Sequence, residues 1–243
     1  MTLLDYFDRC YVVNLPERAD RRREMQQELI EAGIPFAPGR VELFTAVRPV
    51  DAGLFPSLGA RGCFESHHRI LRQARTEGLR NVLVMEDDLT IDPRLRAHAA
   101  EMIETLRTND WGFVYFGHAL EQATPSGDPA LLQPYSGPLM TTHFYGINAA
   151  IFDRLLDFFD ALLQRPPGHP DGSPMHVDGA YSTFRKQNPD VLTLITVPSL
   201  GGQRSSRSDI YPNRWFDRWP VFRELAALAR RVRSRWKAGR RSP

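Results

Sequence analysis

Three consecutive carboxylates, Glu86, Asp87 and Asp88, close the apolar run VLVM at 82–85. Adjacent carboxylates repel one another, and apolar neighbours raise the cost of keeping them charged. A divalent cation resolves that conflict. Mg²⁺ and Mn²⁺ take oxygen ligands and are commonly shared between one or two carboxylates and substrate phosphates. Residues i and i+2 of an extended chain point the same way, so Glu86 and Asp88 are expected to share a face. The plainer alternative is that Asp87 or Asp88 caps a following helix while the rest are solvated.

A second group is Arg18, Arg21 and Arg22, just after the apolar run CYVVNL at 10–15. Guanidinium forks match phosphate or carboxylate oxygens, and a helix N-terminus favours anions. A solvated basic face is the competing reading. In GCFESHH (62–68), Ser66 reads as a helix N-cap. His67 reads either as a hydrogen-bond donor to a ligand or as a satisfied core histidine. No GxSxG, HExxH or P-loop pattern is present, which removes the hydrolase and nucleotidase mechanisms tied to them.

These residues need elements to hold them. The run 10–15 reads as a buried strand. A helix follows, capped by Asp20 and ended by Gly33, with Met25, Leu29 and Ala32 inward. Residues 38–62 are rich in Gly, Pro and Arg and read as loop. A second helix runs from Ser66 to Gly78, with Ile70, Leu71 and Ala74 inward. NVLVMEDD (81–88) is a strand ending in acids, and 95–107 has helical spacing. GFVYFG (112–117) is another strand. Residues 119–140 read as a long loop, functional or mobile. FYGINAAIF (144–152) is strand-like, followed by a helix from Asp153 to Gln164. RPPGHPDGSP (165–174) is irregular and VLTLITV (191–197) is the last clear strand. Strands alternating with helices predict an α/β fold with a mostly parallel sheet. Ligands on such sheets sit at the carboxyl ends of strands: here Asn14, the three acids, and Gly117 with His118.

The chain has 243 residues, 42% hydrophobic and 25% charged, with a net charge of +2. That length and balance suit a folded core without disulfides. No apolar run reaches ~18 residues, the length of a spanning helix. The start, MTLLDYFDRC, lacks a signal-peptide pattern, so a cytoplasmic protein is expected. Cys10 and Cys63 are the only cysteines; with no zinc spacing, both read as small buried apolar residues. Only two of the 31 basic residues are lysines. No acid follows Glu224, whereas Arg230, Arg231, Arg233, Arg235, Lys237, Arg240 and Arg241 do. From Arg214 an amphipathic helix is predicted, with Val221, Leu225, Leu228 and Val232 at 3- and 4-residue spacings. The division is therefore 1–212 for the main domain and 213–243 for helix and basic tail. The tail suits an anionic membrane surface or simple solvation. Nucleic acid is not expected, since the body offers no basic stripe with interleaved aromatics.

The segments YVVNLPERADRR (11–22), GCFESHHRIL (62–71) and VLVMEDD (82–88) resemble glycosyltransferase family 25, the lipooligosaccharide-biosynthesis and collagen-type galactosyltransferase group. The likeness continues through WGFVYFG (111–117), THFYGINAAIF (142–152), HVDGAYS (176–182) and PSLGGQRSSRSDI (198–210). It implies a GT-A-like, Rossmann-type sandwich. It implies transfer of a sugar, usually galactose, from a UDP-sugar to a hydroxyl of a glycan or lipid-linked glycan acceptor such as lipooligosaccharide, with inversion and with Mn²⁺ or Mg²⁺. By the same likeness Asp88 and Glu86 bind the metal, Asn14, Arg18, Arg21, Ser66, Glu86 and Asp87 lie on the donor side, and Asp178 is the base or else a helix-capping acid. Ala60 and Arg61 stand where many relatives carry an acid, so acceptor choice is expected to differ. The competing classes are a non-catalytic nucleotide-sugar or glycan binder and a metal-dependent phosphoesterase, although no second acidic cluster supports the latter.

Overall fold

The structure is a computed structural model and describes residues 1–120 and 132–204. The expected helix from Arg214, the basic tail and most of the first half of the 119–140 loop lie outside the described residues. The compact unit spans Met1–Gln203.

Among the described residues, nine strands form one sheet with the order β2-β1-β3-β7-β5-β8-β6, and β9 bridges from β5 to β4. β1 (Arg9–Asn14) is flanked by β2 (Val41–Thr45) and β3 (Asn81–Glu86), both parallel to it. β7 (Met140–Asn148) then enters antiparallel between β3 and β5 (Trp111–Ala119). β8 (Leu192–Thr196) is parallel to β5, and β6 (Leu132–Pro134) is antiparallel to β8. β4 (Leu89–Ile91) and β9 (Gly201–Gln203) pair antiparallel. The α/β class is as expected, but the sheet is mixed rather than mostly parallel. Because β7 runs against β3 and β5, the carboxyl ends of β1, β3 and β5 still lie on one side.

Strand parity builds two cores. On β3, Val82 and Val84 face one cluster, with Tyr11, Phe113, Tyr115 and Tyr145. That cluster is covered by α2 (Leu58–Thr76), α5 (Phe152–Gln164) and α6 (Val177–Gln187). Leu83 and Met85 face the other, with Cys10, Val12 and Phe116, under α1 (Ala19–Ala32) and α4 (Ala99–Thr108). Such burial on both faces gives the near-continuous apolar runs seen in the sequence. Gly33 takes the left-handed conformation (φ 76°) that ends α1, as its type predicts.

The 38–62 stretch is not simply loop. It contains the edge strand β2, half exposed, and the start of α2. The Gly and Pro residues around VELFT hide a strand too short to show its alternation. α2 begins at Leu58, with Ser57 accepting from Ala60 N at 3.0 Å. Ser66 is therefore not an N-cap; it is a fully buried mid-helix residue. Its hydroxyl donates to Gly62 O (2.6 Å) and accepts from Val47 N (2.8 Å). Gly62 allows that approach, because a Cβ there would lie 2.7 Å from Val47 O. Asp20 is likewise not a cap but lies inside the first turn of α1; Asp153 lies inside the first turn of α5, while Asn148 caps the short 3-10 turn before it. The helix expected at 95–107 is broken at His98 into α3 (Arg94–Ala97) and α4. α6 has no counterpart among the expected elements.

Candidate active site at the carboxyl ends of two parallel strands

Parity also sorts the acids. Asn14 continues the face of Cys10 and Val12, and Asp87 continues that of Leu83 and Met85; both point toward α1. Asn14 Nδ2 donates to Asp87 Oδ2 at 2.7 Å. Arg21 Nη1, from the first turn of α1, donates to Asp87 Oδ1 at 2.8 Å. The side chains of Arg21 and Asp87 are only 11% and 9% exposed. Asn14 also donates to Arg18 O at 3.3 Å, which fixes the turn into α1. The Arg18 guanidinium grips Asp20 through Nε and Nη2, each at 3.1 Å.

Glu86 continues the face of Val82 and Val84 and points toward α2. Gln203 Nε2, delivered by the β4–β9 pair, donates to Glu86 Oε2 at 2.9 Å. Burial, then the charges of Asp88 and Asp87, push the Glu86 carboxyl up to about 8; Arg21 and Gln203 offset this only in part. Asp88 does not simply share the Glu86 face. β3 ends at Glu86 and the chain turns. Asp88 Oδ2 lies 3.4 Å from Arg21 Nη1, and its charge is also felt by the Cys63 thiol.

Cys63 is the meeting point. Cys10 is a buried core residue, as expected, but Cys63 projects from α2 toward the acids. Its thiol is pushed well above the usual range by burial and then by Glu86, Asp178 and Asp88. Asp178 lies in the first turn of α6. Its Oδ1 accepts from Gly179 N (2.8 Å) and its Oδ2 from Thr141 N (3.1 Å). Thr141 holds a positive φ of 70°, an uncommon conformation for a β-branched residue, and Asp178 ties down its N–H. Each oxygen of the carboxylate keeps a second lone pair.

One turn after Cys63 on α2 is His67, 1% exposed. Its Nδ1 is 2.6 Å from Tyr145 OH, which is 2.9 Å from Tyr181 OH. Its Nε2 is buried without a hydrogen-bond partner. His118, at the end of β5, turns its Nε2 to Thr196 O (2.7 Å). A surface cleft of about 540 Å³ lined by Arg72, Arg75, Thr76, Leu156, Asp157 and Asp160 contains none of these residues; it is a groove of exposed charges, bridged by Arg72 and Asp160.

The structure thus brings Asn14, Arg21, Glu86, Asp87 and Asp88 together, with Asp178 facing the same thiol. It places Arg18 at the edge, on Asp20, and Ser66 under the 45–47 segment. Cys63, Gln203, Tyr145 and Tyr181 did not emerge from the sequence. The Cys63–His67 spacing of four on a helix was the available signal for one of them.

An α/β domain with an acidic strand end set against an Arg-bearing helix start is the class that the fold and site define. No family model matches the chain. Curated relatives do, and they bear out the family 25 resemblance over about half the chain. A "Glycosyltransferase 25 family member" of Drosophila pseudoobscura pseudoobscura is 31% identical over 128 residues, covering 45% of this chain and 20% of the relative. "Procollagen galactosyltransferase 1" of Danio rerio is 27% identical over 129 residues, covering 46% and 21%. "Inactive glycosyltransferase 25 family member 3" of Homo sapiens is 28% identical over 143 residues, covering 51% and 24%. The matched part is thus about a fifth to a quarter of the length of these relatives. Among solved structures, a glycosyltransferase involved in glycosylation of the major capsid of PBCV-1 aligns with a TM-score of 0.38 at 14% identity, over 77% of this chain and 92% of that one.

Proposed function

We propose that this chain is a glycosyltransferase that moves a sugar of the galactose class from a UDP-sugar to a hydroxyl of a glycan acceptor, by a single inverting displacement on a GT-A-like scaffold. The observation that carries this reading is the convergence of Asn14, Arg21, Glu86, Asp87 and Asp88 at the ends of β1 and β3. The relatives support the activity class, and the procollagen galactosyltransferase of Danio rerio supports the sugar.

The raised Glu86 carboxyl registers its burial and the negative charge of Asp88 and Asp87, which Arg21 and Gln203 offset only in part. That donor set fits a hard divalent cation. Glu86 and Asp88 would hold Mn²⁺ or Mg²⁺, which supplies neutralising charge for a leaving diphosphate. Arg21, kept in place by Asp87, adds fixed positive potential at the same point. Asn14 and Asp87 orient that guanidinium. Asp178 takes the proton of the acceptor hydroxyl, and its backbone bonds to Thr141 and Gly179 fix its direction.

The alternative of a non-catalytic binder is kept alive by one observation, a relative whose name includes "Inactive". UDP release from a panel of UDP-sugars, with Mn²⁺ and with chelator, separates the two. Metal-dependent release is expected, and Asp88→Asn should lower it by roughly 10²–10³-fold, the scale of one electrostatic transition-state group. Binding of UDP with no release from any donor, by a folded protein, would establish the binder instead.

A further inference from the structure

On the α2 side of the acids lies a donor set of different chemistry. Cys63, His67 and Glu86 each offer one ligand atom, and these atoms all lie within 4.8 Å of one another. We propose that Cys63, His67 and Glu86 form a binding site for a borderline-soft divalent cation of the Zn²⁺ class, which shares Glu86 with the oxygen-only pair Glu86 and Asp88 but adds sulfur and nitrogen donors.

The first argument is the orphaned nitrogen. A buried polar atom without a partner is costly and rare. Among the described side chains His67 has one, Nε2. The other nitrogen, Nδ1, is fixed by Tyr145 OH. If Nδ1–H donates to the Tyr145 oxygen, Tyr145 O–H is left to donate to Tyr181, and the Nε2 lone pair is presented to an ion. This is the arrangement usual for metal-bound imidazole, in which the second nitrogen is tied to an orienting acceptor. The second argument is ligand type. Thiolate, imidazole and carboxylate together suit zinc, with three protein ligands and one open position; a thiolate does not suit Mg²⁺. The third is field. Asp178 and Asp88 act on the Cys63 thiol beside Glu86, so a cation entering here meets negative potential and displaces the thiol and carboxyl protons on binding.

Zinc ligands sit at ~2.0–2.3 Å from the ion, so separations near the 4.8 Å bound must shrink on binding. Glu86 can supply the movement, since it sits at the strand end and one oxygen can remain on Gln203. The proposal does not depend on sugar transfer, and its test reads metal rather than turnover.

The purified full chain is stripped with chelator and titrated with Co²⁺ as the spectroscopic stand-in for Zn²⁺. One equivalent is expected to give a near-ultraviolet sulfur-to-cobalt charge-transfer band, removed by added Zn²⁺. Cys63→Ser should abolish the band, whereas Cys10→Ser and Asp88→Asn should keep it. Tyr145→Phe should weaken cobalt affinity by roughly 10–100-fold, as loss of an orienting partner does. If Cys63→Ser does not fold, Zn²⁺ protection of Cys63 from alkylation in the parent chain, read by mass spectrometry, replaces it. Absence of the band, its survival in folded Cys63→Ser, or unchanged alkylation with zinc would each overturn the proposal.

Discussion

Asp87 and Glu86 are neighbours in sequence and opposites in circumstance. Asp87 points toward α1, where Asn14 and Arg21 each hold one of its oxygens with a short bond. Glu86 points toward α2, where it meets Gln203, a thiol and the repulsion of two other acids. One carboxylate is tied into a buried hydrogen-bonded ion pair, while the other is discouraged from charging. Glu86 is the last residue of β3 and Asp87 the first of the turn after it, and a single residue step there exchanges the two faces of the sheet. Residue type alone therefore says little about a carboxylate; the element packed over its face decides its state.

The sharpest way to break this contrast is Arg21→Ala. It takes the guanidinium away from the buried Asp87 carboxylate, and breaking such a pair costs about 3–5 kcal/mol. Urea unfolding should show that loss. A change below ~1 kcal/mol would mean that Asp87 is not held by the pair.

Glu86 should behave in the opposite sense. Its folded carboxyl is raised from 4.5 to about 8, so the folded state holds its proton more tightly than the unfolded state. Its contribution to stability is therefore full below pH ~4.5 and falls as pH rises toward 8, flattening above that. Glu86→Gln should remove that falling slope in metal-free protein and leave stability near pH 5 little changed. An identical slope in parent and variant would show that Glu86 ionises normally.

The smallest expected effect is at Gln203, which is exposed. Gln203→Ala should cost about 0.5–1 kcal/mol, the net value of one ordinary hydrogen bond, and should move the Glu86 titration further up, as followed by NMR of the carboxyl carbon. A downward movement would show that Gln203 does not favour the charged form.

Much of this was legible in the residues. The runs CYVVNL, NVLVMEDD and GFVYFG were buried strands because two-faced burial leaves no polar alternation to confuse them. The acids and Arg21 were legible because charge at the end of such a run has few structural uses. The mixed sheet was not, because strand direction depends on pairing partners that a periodicity does not name. The shared face expected for Glu86 and Asp88 held only in part: β3 stops at Glu86 and the chain turns, so Asp88 reaches Arg21 while its charge still acts on Glu86 and Cys63. Ser66 misled because a serine that bonds back to the helix carbonyl four residues earlier looks, in sequence, like a cap. Cys63 was set aside for want of zinc spacing along the chain, although its partner His67 is one turn away and Glu86 arrives from another element.

The late arrival of β7 has a consequence for biosynthesis. β7 hydrogen-bonds β3 on one side and β5 on the other, yet it is the last of the three to leave the ribosome. β5 has neither of its main neighbours, β7 and β8, while only the first 139 residues exist. Until then the nascent chain presents the apolar edges of β3 and β5, surfaces that template wrong pairing. Ribosome-stalled chains ending at 139 should therefore be protease-sensitive and chaperone-bound, and chains stalled well beyond 196 should not. Equal protease resistance at both lengths would mean that the earlier strands find another temporary cover.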